Sequence, residues 1–276
     1  LDNPKSPRWS PDNSKLAFIA DHEDKDQIFM RWMDTGETGV ISKLNESPSG
    51  LTWSPDGKWL AFTMSVKAEN EPIAEPRDIP DGASWADEPI VIKNTQYQYD
   101  GSGIVEPAHR HIFIMPADGG TAFQLTEGNF NHYGSLAWTS DSKEIYFSAY
   151  RSNDWELVSD EADIYAVNLD TKELKQITSE PGAERSPSIS PNGKTLAFIK
   201  EERRRLAYTP DRIAIVNVDG GKSRLLTKNL DGDASDIIWA DDNRSIYFAY
   251  DERGIRKVGQ VNLNGSIKEI VSGLGG

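Results

Sequence analysis

One phrase recurs along this chain, and it constrains the fold more than any other feature. Ser6-Pro7-Arg8-Trp9-Ser10-Pro11-Asp12-Asn13-Ser14-Lys15-Leu16-Ala17-Phe18 returns as Gly50-Leu51-Thr52-Trp53-Ser54-Pro55-Asp56-Gly57-Lys58-Trp59-Leu60-Ala61-Phe62. Three further copies are centred on Trp138, Ile189 and Trp239. In each, a short apolar strand ends on a large residue. A Pro-Asp-Gly turn or its Asn/Ser equivalent reverses the chain, because Gly and Asn tolerate positive φ. A second strand then alternates toward Phe or Tyr. A second strand-turn-strand phrase follows, as in Ile112-Phe113-Ile114-Met115-Pro116-Ala117-Asp118-Gly119-Gly120 with Phe123-Gln124-Leu125-Thr126. Two hairpins per repeat make four antiparallel strands, which is one propeller blade.

The expected fold is therefore all-β, a β-propeller of four-stranded antiparallel blades with five blades visible. The hallmark positions 9, 53, 138, 189 and 239 are separated by 44, 85, 51 and 50 residues. Propeller repeats run about 40–50 residues, so the long interval holds an insertion, residues 66–108, within the second blade. It carries Pro72, Pro76, Pro80 and Pro89 and reads as a loop excursion. No broken repeat at one end completes one at the other. The expectation is a single domain over residues 1–276, truncated at both ends and belonging to a ring of six to seven blades. Trp9, Trp53, Trp138 and Trp239 should occupy equivalent places, and so should Phe18, Phe62, Phe147, Phe198 and Phe248.

Composition narrows the partners. A formal net charge of -14 repels phosphate backbones, so nucleic acid is excluded as an expected partner. The same field suits a cation such as a peptide amino terminus, although solubility alone explains it. There is no Cys, hence no disulfide, thiol nucleophile or thiolate metal site. No stretch approaches the roughly 20 apolar residues of a membrane span. The opening Leu1-Asp2-Asn3-Pro4 lies inside a pattern and shows no leader, which reads as a fragment. A soluble protein of cytoplasm or periplasm is expected, with the choice open, and a homo-oligomer is compatible.

Each motif with apparent chemistry has a plainer reading. Gly220-Gly221-Lys222-Ser223 ends like a phosphate loop but lacks the first Gly and a following helix, so it reads as a hairpin turn. His109 and His111 flank Arg110 and share one side of a strand. Such a pair can ligate a metal, but no third ligand is evident, and a polar strand edge is the expectation. Asp12, Asp56, Asp141 and Asp241 recur at one place per blade, as turn-forming side chains rather than calcium ligands. Glu201-Glu202-Arg203-Arg204-Arg205 reads as a solvated loop. No metal and no cofactor is expected.

The Trp-Ser-Pro-Asp-Gly-Lys phrase resembles TolB-like propeller repeats. A longer stretch, Tyr97-Gln98-Tyr99-Asp100-Gly101-Ser102-Gly103 followed by His111-Ile112-Phe113-Ile114-Met115-Pro116-Ala117-Asp118-Gly119-Gly120, resembles the propeller of acylaminoacyl-peptidase and dipeptidyl-peptidase relatives in the prolyl oligopeptidase family. Tyr150-Arg151-Ser152-Asn153-Asp154-Trp155 before Asp163-Ile164-Tyr165 is similar to the next blade of the same enzymes. That resemblance implies a propeller followed by an α/β-hydrolase domain bearing a G-x-S-x-G nucleophile elbow. Here Gly221-Lys222-Ser223 is followed by Arg224 and Leu225, without the closing Gly. The expected role is thus a non-catalytic module of a serine peptidase. Its partners would be a peptide substrate, selected by size, and a hydrolase domain of the same protein. Tyr99, Asp100, Arg110, Arg151, Asp154 and Trp155 are the candidate substrate-binding residues, with a structural role as the alternative. Arg151 either binds a substrate carboxylate or carbonyl or pairs with Asp154 or Glu156. Rival functions are a TolB-like protein-binding scaffold and a propeller lyase with a His-bound metal.

Overall fold

The computed structural model describes residues 2–68, 107–158, 160–203 and 208–274, with positions 81–82, 91–92, 95, 97–101 and 103–104 of the intervening segment. Every regular element among them is a β-strand. The first blade contains β1 (Asp2–Trp9), β2 (Lys15–His22), β3 (Lys25–Trp32) and β4 (Thr38–Val40), hydrogen-bonded in that order. The second contains β5 (Ser49–Trp53), β6 (Trp59–Lys67), β9 (Ala108–Pro116) and β10 (Phe123–Gln124). Between β6 and β9 lies a separate small hairpin of β7 (Gln98–Tyr99) and β8 (Gly103–Ile104). The third blade is β11 (His132–Trp138), β12 (Glu144–Ala149), β13 (Asp163–Asn168) and β14 (Leu174–Gln176). The fourth is β15 (Gly182–Ile189), β16 (Thr195–Glu202), β17 (Arg212–Asn217) and β18 (Arg224–Leu225). The fifth is β19 (Ala234–Trp239), β20 (Ser245–Glu252), β21 (Ile255–Asn262) and β22 (Ile267–Leu274).

The repeat maps onto this frame residue for residue. Trp9, Trp53, Trp138, Ile189 and Trp239 each close the first strand of a blade and face Leu16, Leu60, Ile145, Leu196 and Ile246 across the ladder. Two residues on in the second strand stand Phe18, Phe62, Phe147, Phe198 and Phe248, all buried. The phrase occupies these strands because an Asx side chain shapes each turn. Asp12, Asp56, Asp141 and Asn192 accept the N–H two residues ahead at 3.0–3.2 Å. In the fifth blade the acceptor is Asp242, which takes the N–H of Arg244 at 2.8 Å. The expected Asp241 is therefore corrected to Asp242, one residue later in the turn.

The core lies between blades. Ala17, Ile19, Ile28 and Met30 of the first blade pack on Leu51, Trp53, Leu60 and Phe62 of the second, and similar clusters fill the later seams. Among the described residues no strand of the first blade touches one of the fifth, so these five blades form an open arc. Both open faces carry the mark. Trp9 is 53% exposed where Trp53, Trp138 and Trp239 are each 8% exposed. Ile270 is 43% exposed, whereas Leu125, Ile177 and Leu226, which sit at the same stage of their blades, are buried.

The excursion of the second blade leaves from β6 and returns on β9, with Val66 paired to His109 and Lys67 to Ala108. Pro72, Pro76, Pro80 and Pro89 lie outside the described residues. Of the Glu201–Arg205 cluster, Glu201 and Glu202 are half-buried rather than solvated. Glu201 pairs with Arg185, and Arg203 crosses to Asp160 and Glu161 of the third-blade connection, while residues 204–205 lie outside the described set.

Candidate functional site

The pocket of interest opens where the second and third blades meet, beside the start of β9. Strand alternation sends His109 and His111 to the buried side and Arg110 outward. The expected polar strand edge is thus corrected. β9 lies between β6 and β10, and both imidazoles are packed in a seam. A third imidazole, His132 at the start of β11, stands 5.0 Å from His111, ring centre to ring centre.

Hydrogen bonds assign the roles in this trio. The Nδ1–H of His132 donates to the Arg110 carbonyl at 2.9 Å. Its Nε2 is then left as an acceptor, and the Arg151 guanidinium donates to it at 2.5 Å. Arg151 also donates to the Glu127 carbonyl at 3.2 Å and lies 4.7 Å above the Phe130 ring. Thr126 Oγ1 accepts the Ile112 N–H at 3.0 Å, which leaves its proton for Nδ1 of His111 at 3.3 Å. Burial disfavours the charged imidazole, lowering His132 to about 3, His111 to about 4, and His109 below its usual value. All three rings are neutral near pH 7. Among the described residues no three His, Cys, Asp or Glu side chains are placed to share a metal ion. The lone pair of His132 that would serve one is already taken by Arg151.

Beside His109 is a cavity of about 330 Å3 lined by Thr95, His109, Asn129, Asn153, Trp155 and Glu156, with Leu157. The 152–157 segment is shaped by two backbone turns, Trp155 N–H to the Ser152 carbonyl at 3.2 Å and Leu157 N–H to the Asp154 carbonyl at 2.8 Å. They stand Trp155 edge-on against His109, ring centres 5.6 Å apart. Glu156 accepts both the N–H and the hydroxyl of Thr95, at 3.1 and 3.2 Å, tying the excursion to the third blade. The buried Nδ1 of His109 has no hydrogen-bond partner among the described residues. The wall therefore offers an indole, two amides, an imidazole and one carboxylate, a set suited to a polar ligand with amide or ammonium groups.

The six residues expected from sequence separate here. Trp155 lines the cavity. Arg151 is turned away, into the His132 contact. Neither Asp154 nor Glu156 forms an ion pair with it among the described residues; Asp154 instead accepts the Tyr150 hydroxyl at 3.0 Å. Arg110 is exposed, and its backbone N–H donates to Asn131 at 2.9 Å. Asp100 is exposed in the turn joining β7 and β8, and the side chain of Tyr99 lies outside the described residues. Sequence reasoning missed Thr95, Asn129, Asn153, Glu156 and His132. Asn153 and Glu156 stood next to the flagged Asp154 and Trp155; the other three did not adjoin a flagged position.

Comparison with known proteins follows the same line. A family model described as "TolB beta propeller domain" matches residues 103–276. The uncharacterized peptidase YuxL of Bacillus subtilis is 35% identical over 147 residues, covering 52% of this chain and 21% of that protein. Dipeptidyl-peptidase 5 of Porphyromonas gingivalis is 24% identical, covering 98% of this chain and 41% of its own length. The chain thus spans less than half the length of either peptidase. Among solved structures, the acylaminoacyl peptidase of Pyrococcus horikoshii superposes with a TM-score of 0.69 at 16% identity, over 98% of this chain and 39% of that one; at that identity the likeness concerns the fold alone.

Proposed function

The chain belongs to the TolB beta propeller domain family, and from that premise we propose that it is the propeller module of a serine peptidase of the acylaminoacyl-peptidase and dipeptidyl-peptidase kind. In this reading it admits short peptides to an α/β-hydrolase domain of the same protein and excludes folded chains by size. The observation that carries the reading is the alignment of 98% of this chain with only 41% of a dipeptidyl-peptidase. The rest of such a protein is where the catalytic residues would stand. The open arc agrees with it. Trp9 and Ile270 are large apolar residues whose counterparts are covered by a neighbouring blade, so further blades of a six- to seven-bladed ring would bury them.

The cavity at Trp155 would be the module's contact with the peptide. Its amides match peptide groups, and Glu156 with the chain's net charge of -14 favours an ammonium. The test is steady-state kinetics of the full-length enzyme with Trp155→Ala and Glu156→Gln. The reading expects KM for short peptides to rise severalfold with kcat nearly unchanged. Unchanged KM for several peptides would remove the cavity from the substrate path, and a full-length protein without a hydrolase domain would overturn the peptidase reading itself. A TolB-like binding scaffold is the second reading, favoured by the exposed Ile267, Ile270, Val271 and Leu274 along β22. Retention of a protein partner by the chain, lost on Ile270→Asp, would support it.

A further inference from the structure

The third and fourth blades meet differently from the others. Ala162, just before β13, forms a parallel bridge with Ala183 of β15. Beside it, the Glu184 N–H donates to the Ala162 carbonyl at 2.8 Å, and the Ser148 hydroxyl donates to the Glu184 carbonyl at 2.5 Å. The backbone of Glu184 is thereby stitched into the third blade. Its side chain is fully buried. One carboxylate oxygen accepts from Lys200 Nζ at 2.6 Å, the nearby Thr178 hydroxyl also favours the ionised form, and Oε2 makes no hydrogen bond of good geometry among the described residues. Lys200 is 5% exposed and also donates to Glu180 at 2.7 Å. Across the bridge, Asp163 follows Ala162 and accepts from the Gln176 amide at 3.0 Å.

Two carboxylates, Glu180 and Glu184, therefore share one ammonium, and Asp163 adds a third acidic group beside the bridge. Among the described residues the nearby arginines do not relieve the imbalance, because they are paired elsewhere. Arg185 is bound to Glu201 and Asp211, and Arg203 to Asp160 and Glu161. Of the remaining groups facing the cluster, Glu161 is acidic and adds to the field at Asp163, and Tyr165 is a neutral phenol. Glu184 is buried and Asp163 half-buried, so ionising both beside one shared ammonium is costly, and the inexpensive solution is to keep a proton. We propose that the seam between the third and fourth blades is a proton-operated latch, in which one proton held by the Asp163 and Glu184 carboxyls keeps the blades docked. Loss of that proton places a second net negative charge beside the buried Glu184 carboxylate and loosens the bridge at Ala162 and Ala183.

The individual groups agree. Burial, then the field of Glu184, pushes Asp163 up to about 7, and burial raises Glu184 despite Lys200. Burial opposes ionisation of Glu180, but Lys200 and Ser223 hold it below its usual value, so it stays charged. The proton thus belongs to the Asp163–Glu184 pair. An acid whose closed-state pKa is raised stabilises the closed seam below its ordinary pKa and loses that contribution as pH rises through the raised value.

The experiment is amide hydrogen exchange at Ala162 and Glu184 in the chain, corrected for intrinsic exchange, from pH 5 to pH 8. If opening returns Asp163 to an ordinary pKa of about 4, the opening constant rises by up to about tenfold per pH unit until it levels off near pH 7. A rise of more than about tenfold between pH 5 and pH 7, abolished by Asp163→Asn, is the expected result. A pH-independent opening constant, or the same dependence in Asp163→Asn, overturns the latch. Should that variant not fold, carboxyl 13C titration of the unmodified chain decides; ordinary midpoints near 4 for both Asp163 and Glu184 would overturn it. No peptidase activity enters these measurements, so the outcome is independent of the function proposed above.

Discussion

The indole N–H of Trp239 donates to the carbonyl of Ser188 at 2.9 Å, and Ser188 immediately precedes Ile189, the residue that stands where Trp239 stands one blade earlier. Trp53 makes the same bond to Arg8, just before Trp9. Trp138, whose buried indole N–H has no partner among the described residues, does not repeat the bond, but in these two seams the hallmark tryptophan is a clamp onto the preceding blade. Its ring fills the seam while its N–H satisfies a backbone acceptor there.

This clamp predicts a position-dependent cost. Trp239→Phe keeps an aromatic ring but leaves the Ser188 carbonyl without its donor, and should lower unfolding stability by about 1–2 kcal/mol. Trp9→Phe, at the exposed face, should change it by less than about 0.5 kcal/mol. Urea unfolding of both variants measures this. Equal losses would mean that the ring, not the bond to the neighbouring blade, carries the effect.

Turns on adjacent blades are also joined. The Asn192 N–H donates to Asn243 of the next blade at 2.7 Å, and the Asp56 N–H donates to Ser142 at 3.1 Å. Between the third and fourth blades the acceptor position is Gly193, at φ +70°, with Ser140 Oγ 3.6 Å from where a Cβ would lie. Asn tolerates that backbone, as Asn243 does at φ 57°. Gly193→Asn should therefore gain an acceptor for the Asp141 N–H and raise stability by about 0.5–1 kcal/mol, read as a higher Tm. A lower Tm would show that the side chain does not reach.

Acid should loosen the seam between the second and third blades. His111 and His132 are depressed by burial to about 4 and about 3, below the ordinary value near 6.5. The unfolded chain then binds protons that the folded chain refuses, so stability is full above about pH 6.5 and falls as pH drops toward 4. Each proton contributes at most about 1.4 kcal/mol per pH unit. His111→Phe should make this limb shallower in urea unfolding followed against pH, and an identical slope would contradict the assignment.

Arg151 is expected to act on structure. Arg151→Ala removes the donor to His132 and Glu127 and the cation over Phe130, and should cost about 1–3 kcal/mol. Arg151→Lys should restore only part, since an ammonium does not reproduce the planar fork. A melting curve decides it: an unchanged Tm with a raised KM in the full-length enzyme would return Arg151 to substrate binding.

Turn chemistry and strand alternation are local, and what they govern was legible in the sequence. Ser-Pro-Asp-Gly carries its own hydrogen bonds, and Trp53 and Phe62 lie nine residues apart on one hairpin, so blades, their order and their equivalent positions followed from the repeat. Asp242 shows the limit of that locality, because two adjacent Asp residues look alike until one of them caps the turn. The seams belong to the tertiary structure. Nothing near His109 and His111 announces His132 or Arg151, and nothing near Glu184 announces Lys200 and Asp163. These groups meet only when separate hairpins stack. Burial between blades then made the imidazoles neutral and set two carboxylates on one ammonium with Asp163 beside the bridge. The exposure of Trp9 and Ile270 was likewise decided by neighbours: each residue type was set by its repeat, but whether it is covered depends on the blade that packs against it.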